Sequence, residues 1–119
     1  MKITVDIRAN TLRCEFASSR PIARVRSAPA VLDVGEGGRL IGVDVEHPSV
    51  ALPANGEPAA TLDPATGSLY IALEASTDRH ARSARVIVEL ATDDAGILAA
   101  LIVPCRGAGY EITYPSGNR

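Results

Sequence analysis

The chain has 119 residues, 46% hydrophobic side chains and a formal net charge of -2, so it can bury about two thirds of its unfolded surface and is too apolar to stay disordered. One Phe, three Tyr and no Trp make the core aliphatic and leave few rings for bases to stack on, which with the acidic balance ranks nucleic-acid binding last among the function classes. No apolar run reaches the roughly 18 residues of a membrane helix, and the opening KITVDI lacks the basic and apolar regions of a secretory signal, so the expectation is a cytoplasmic protein with no membrane partner.

Period-two alternation begins at once. Ile3, Val5 and Ile7 alternate with Lys2, Thr4 and Asp6, and Leu12, Cys14 and Phe16 alternate with Arg13 and Glu15, which predicts two half-buried strands. Arg20, Arg24 and Arg26 follow. The stretch LDVGEGGRLIGVDV at 32–45 then raises the question of a phosphate-cradling loop. A P-loop needs a Lys to reach the phosphates and a Ser or Thr for magnesium, and the only lysine of this chain is Lys2. A dinucleotide fingerprint needs a helix whose free N–H groups face the pyrophosphate. Here Ile41, Val43 and Val45 alternate with Gly42 and Asp44, so a strand follows and Gly35-Glu36-Gly37-Gly38 reads as a hairpin turn.

Residues 46–58, EHPSVALPANGEP, hold three prolines and an Asn-Gly and are expected to be a linker. DPATGSLYIAL at 63–73 is a turn followed by alternating Leu69, Ile71 and Leu73. The best helix candidate, residues 76–85, is short, Arg-rich and poorly amphipathic, so the chain should contain at most one short helix. ATDDAG at 91–96 is a second turn. The run GILAALIV that follows at 96–103 is apolar in both phases, which suits either a strand central in a sandwich or one covered by another subunit. Leu98, Ala100 and Ile102 are therefore candidate interface residues, for a contact between the two halves of the chain or in a dimer. The tail at 115–119 is expected to fray.

The chain reads as though written twice. At a shift of 57, Asp6 meets Asp63, Leu12 meets Leu69, Cys14 meets Ile71 and Phe16 meets Leu73, while Ile3 and Val5 meet Ala60 and Leu62. At a shift of 58, GRLIGVDV (38–45) meets GILAALIV (96–103). The expected fold is all-β: two four-stranded antiparallel repeats packed as a pseudo-twofold β-sandwich or partly closed barrel. Repeat one would span 1–45, a linker 46–58, repeat two 59–103 and a C-terminal extension 104–119, all in one compact domain of 1–119.

DPATGSLYIAL at 63–73 resembles the "YDPEADALYIRL" opening of the small bacterial domain-of-unknown-function family 2283, and LDVGEGGRLIGVDV at 32–45 resembles its closing "LDLDEDGRLVGIEI". The resemblance implies a tandem, diverged pair covering about 1–45 and 59–103. Repeat one departs from the pattern at Ile7-Arg8-Ala9-Asn10, and repeat two lacks Arg-Leu-Ile-Gly after its turn. No activity is attached to the family, so the resemblance carries over no catalytic residue.

Chemistry-bearing residues are sparse. His47 and His80 fall in the linker and in the Arg-rich segment, with no spacing that supplies the three or four ligands of a metal site. Cys14 and Cys105 lie on apolar strand faces, where a thiol is inert unless positive charge lowers its pKa. No catalytic constellation, metal or cofactor is expected. Arginine is the more suggestive set: Arg20, Arg24 and Arg26 correspond roughly to Arg79, Arg82 and Arg85. Arg24, Arg26, Arg82 and Arg85 are candidate anion-binding residues for a cleft between the repeats, because guanidinium is a bidentate donor. Charges guarding sheet edges would look the same. Two functions result: a non-catalytic protein-interaction or regulatory module, working as a homodimer or with another protein, and a small-anion or metabolite binder, a weak hydrolase included.

Overall fold

Among the described residues ten strands follow one another: β1 (Lys2–Asp6), β2 (Thr11–Glu15), β3 (Arg24–Gly35), β4 (Leu40–Val45), β5 (Ala60–Leu62), β6 (Leu69–Ala72), β7 (His80–Thr92), β8 (Leu98–Pro104), β9 (Arg106–Gly107) and β10 (Tyr110–Glu111). They are seen in a computed structural model that describes residues 2–16, 21–53, 59–73, 80–107 and 110–112. The protein is all-β, with no helix among the described residues. The first eight strands form one antiparallel sheet in the order β1-β2-β8-β7-β3-β4-β6-β5.

That row reads the same from either edge when each of β1–β4 is exchanged with the strand four places later. The registers obey the same exchange. Leu12 pairs with Val103 across β2 and β8, and Leu69, 57 residues after Leu12, pairs with Val45, 58 residues before Val103. Bulges fall between Asp33 and Val34 in the β3–β4 hairpin and between Ala91 and Thr92 in the β7–β8 hairpin, again 58 apart. At the centre, Pro29 pairs with Ile87, its counterpart at 58, so the pseudo-twofold axis passes through this pair. The two halves are interleaved: the β1–β2 hairpin docks on β8 and the β5–β6 hairpin on β4.

Proline in a central strand normally breaks the ladder because it has no N–H. Pro29 is tolerated because of where its polar groups point. Its carbonyl accepts Glu46 N–H at 3.1 Å, so its N and C=O face the β4 side, at the place where β4 has ended. Opposite Ile87 it therefore occupies a non-hydrogen-bonded position, where no donor is needed and side chains approach most closely.

Alternation sorts each strand into an inner and an outer face. Ala28, Ala30, Leu32 and Val34 of β3 and Ala84, Val88 and Leu90 of β7 point inward and are buried, while Arg85, Ile87 and Glu89 point outward. Leu12 and Cys14 on β2 share one core cluster with Leu69 and Ile71 on β6. A flat sheet would hold those strands about 24 Å apart. The sheet must therefore curl until its inner face closes on itself, giving a partly closed barrel. The short β9–β10 hairpin adds Tyr110 and Ile112 to the same core, with Tyr110 Oη donating to the Pro104 carbonyl at 2.9 Å.

The helix candidate at 76–85 is strand where it is described: residues 80–85 belong to β7, and 76–79 lie outside the described residues. Each of the twelve residues of β3 has a partner on β7, and this continuous pairing overrides the weak local pattern around Arg82 and Arg85.

The Gly-rich stretch is a turn. Gly35 N–H bonds Arg39 O at 2.8 Å, Gly38 N–H bonds Gly35 O at 3.0 Å, and Gly38 sits at φ 83°. In ATDDAG the corresponding bonds join Asp93 to Ile97 and Gly96 to Asp93, with Gly96 at φ 80°. Both glycines occupy the left-handed position that closes such a hairpin, where a Cβ is costly. Replacing Gly38 or Gly96 with Ala should cost about 1–2 kcal/mol each in urea unfolding. Gly37→Ala, with no atom within 4 Å of the new methyl, should change stability by no more than about 0.5 kcal/mol.

Candidate functional site

The four arginines do not share one cleft. Arg24 and Arg26 stand on the inner side at the start of β3, where they line an opening of about 310 Å³ with Ser49, Thr92, Asp93 and Asp94. Arg82 stands opposite Val34, ten residues along β3 from Arg24, which is about 33 Å in extended chain. Arg85, opposite Val31, is on the outer face. The separation follows from the pairing itself: Arg24 and Arg82 are 58 apart, and antiparallel strands that meet at Pro29–Ile87 send such counterparts to opposite ends. Arg26 is committed locally, its Nη2 donating to the carbonyls of Pro48 and of Ser49, the latter at 3.0 Å. It thereby buckles the linker across the mouth of the barrel, where Val50 and Leu52 pack on the core. Asp93, also in this opening, is buried, and its Oδ1 accepts N–H bonds from Ala95 at 2.8 Å and Ile97 at 3.0 Å. That carboxylate serves the turn.

The residues proposed on β8 for an inter-copy or dimer contact lie where β8, from the second half of the chain, pairs with β2 of the first. Leu98 and Ala100 are buried within the chain, and Ile102 is half-buried and borders the outer face. Strand β8 lies between β7 and β2, a central position that accounts for its two apolar phases.

The histidines and cysteines are not gathered. His47, at φ 42°, packs its ring against the 63–68 turn, with Nδ1 3.2 Å from where a Cβ on Gly67 would sit. The side chain of His80 lies outside the described residues. Among the described residues no three His, Cys, Asp or Glu side chains come together as metal ligands do. Neither Cys14 nor Cys105 is in a disulfide, and both are buried. Cys14 pairs with Leu101, four residues before Cys105, so the two thiols are about 13 Å apart along the sheet, too far for a disulfide. Burial pushes the Cys14 thiol up to about 12, against a slight opposing pull from the N-terminal ammonium.

What the sequence reading missed is the outer face. Ile87 is 59% exposed and Val25 54% exposed, both near the middle of the sheet. Beside them a groove of about 640 Å³ crosses β1, β2, β8, β7 and β3, with Ile7, Val25 and Ile102 in its apolar lining and Asp6, Arg8 and Glu89 among its charged groups. A signal for it exists in the sequence. Ile87 falls in the same phase as Arg85 and Glu89, where a polar residue is expected, and Val25 shares the phase of Ser27. Further along this face Tyr70 covers Gly42, whose Cβ would collide with the phenol oxygen, and Tyr70 Oη donates to Asp33 Oδ2 at 3.4 Å. Burial, then the Asp33 carboxylate, raises the Tyr70 pKa, so the phenol remains a donor at neutral pH.

No protein-family model matches the chain, and no curated protein or solved structure is significantly similar to it.

Cys14 generates a test of burial. The folded chain holds this proton more tightly than the unfolded chain, so the stabilisation is complete below about pH 9 and is lost as pH rises towards about 12. The raised pKa values of Tyr70 and Tyr110 act in the same direction. Urea midpoints should fall steadily between these limits, and Cys14→Val should flatten the fall. Neither thiol should react with Ellman's reagent at neutral pH until the chain is unfolded.

Proposed function

We propose that the protein is a non-catalytic interaction module, a tandem and diverged pair of one four-strand unit related to family 2283, that holds a protein partner against the outer face of its sheet. The observation that carries this reading is the exposure of Ile87 and Val25 at positions that alternation assigns to polar residues. Isolated surface hydrophobics are ordinary. Here, though, Val25 is part of a groove with Ile7 and Ile102, and the groove is flanked by charges of both signs. An apolar floor with a charged rim suits a peptide-like surface: the floor supplies affinity, and the rim supplies orientation.

A substitution on this face tests the reading without disturbing the core. Ile87→Asp and Val25→Asp should each leave the melting temperature within about 2 °C, because exposed changes alter stability by no more than about 0.5 kcal/mol. Immobilised wild-type protein should retain a partner from its native lysate at a fixed stoichiometry, and both variants should lose it. Equal retention by wild type and variants would overturn the assignment to this face.

A further inference from the structure

The two ends of the sheet differ. One edge is β5, three residues (ATL) without a charge; the other is β1, five residues (KITVD) with a charge at each end. An unprotected edge presents unpaired N–H and C=O groups to any strand that can meet them. Edges are usually guarded by charges that repel a second copy. The charges of β1 do the opposite.

Thr4 is the middle residue of β1, and the strand is self-complementary about it. In an antiparallel pairing of two β1 strands centred on Thr4, Lys2 of each copy lies opposite Asp6 of the other, and Ile3 lies opposite Val5. Lys2, Thr4 and Asp6 share the outer face. Ile3 and Val5 share the inner face, opposite Cys14 and Leu12 of β2. The two ion pairs would therefore form on the solvent side. The apolar pairs would extend the barrel lining and cover Ile3, which is 37% exposed in the single chain. A parallel pairing would stack Lys2 on Lys2 and Asp6 on Asp6, and a two-residue slip would put either Asp6 opposite Thr4 and Lys2 opposite Arg8, or Lys2 opposite Thr4 and Asp6 opposite nothing. Only one register satisfies both faces.

We propose that the β1 edge is a homodimerisation surface, with the occupant a second copy of this chain paired antiparallel about Thr4. The result is a continuous sixteen-strand sheet. Its symmetry is closed, because both copies use the same surface and neither has a second β1 edge to offer, so pairing through β1 stops at two. Lys2 has no ion pair within its own chain among the described residues. Asp6 uses Oδ1 to accept Ala9 N–H at 3.1 Å in the following turn, which orients the carboxylate and leaves Oδ2 for the partner's ammonium.

Thr4 and Asp6 of β1 also border the outer-face groove, whereas Lys2 and Ile87 do not, so K2E and Ile87→Asp test the two proposals separately. Sedimentation equilibrium of the chain without an N-terminal tag should give twice 12.4 kDa at micromolar concentration, with dissociation promoted by salt. Lys2→Glu places like charges opposite each other twice and should weaken the dimer about tenfold. Asp6→Lys should weaken it similarly, and the double variant K2E/D6K, which restores both pairs with the signs exchanged, should recover most of the loss. Far-UV circular dichroism of D6K checks that loss of the turn bond has not unfolded the hairpin. If D6K is unfolded, K2E read against salt in wild type decides alone. A monomer at millimolar concentration overturns the proposal, as does a dimer indifferent to K2E. Ile87→Asp should leave the dimer intact.

Discussion

The whole arrangement hangs on the antiparallel pairing of β3 with β7 about Pro29 and Ile87. Along its twelve registers this ribbon aligns residues from the two halves of the chain. Each strand carries its own hairpin partner outward, β4 from β3 and β8 from β7, and β2 and β6 lie beyond these with the edge strands β1 and β5 outermost. Each half contributes its outermost hairpin to the other half's fourth strand. Neither half can bury its own inner face without the other, since β2 needs β8 and β6 needs β4. The curl of the sheet follows, because an eight-strand sheet with one apolar face and no covering helix lowers its exposed apolar area by closing on itself.

The same pairing decides where chemistry can and cannot gather. Counterparts 58 residues apart adjoin only at the axis and diverge steadily away from it. Two arginines that look like partners in the sequence therefore end about 33 Å apart. Residues gather instead within one mouth, where Arg26 holds the linker carbonyls and Asp93 caps a turn, or on the outer face, where the twisted sheet forms a shallow groove. Buried polar groups in this protein serve the backbone: Asp93 satisfies two N–H groups of its own turn, and Tyr110 satisfies the Pro104 carbonyl. Such groups are hydrogen-bonded because an unmet donor or acceptor in the core is costly.

Much of this was legible in the chain. Leu12 and Cys14, Leu69 and Ile71, and Val43 and Val45 alternate cleanly, and all are buried as the alternation implies. Gly38 and Gly96 marked their turns because only a residue without a Cβ takes a positive φ cheaply. The first half of β7 was not legible. Arg82, Ser83 and Arg85 carry little hydrophobic contrast, and the inner positions of both central strands hold the small Ala28, Ala30 and Ala84, which suit helix and strand alike. Which strand pairs with which is a long-range choice that no local window encodes, and for this reason the arginine set was misplaced. Ile87 was readable as an apolar residue out of phase, a weak signal that gains meaning only once the face it occupies is known.

The most direct test of the interleaved sheet is the pattern of cross-strand proton contacts in solution. A non-hydrogen-bonded antiparallel pair brings its two Hα atoms close. Nuclear Overhauser spectra should therefore contain an Hα–Hα cross-peak between Pro29 and Ile87, with interstrand contacts linking Arg13 to Ile102 and Tyr70 to Asp44. Contacts confined within each half, with none from β2 to β8 or from β3 to β7, would contradict the account.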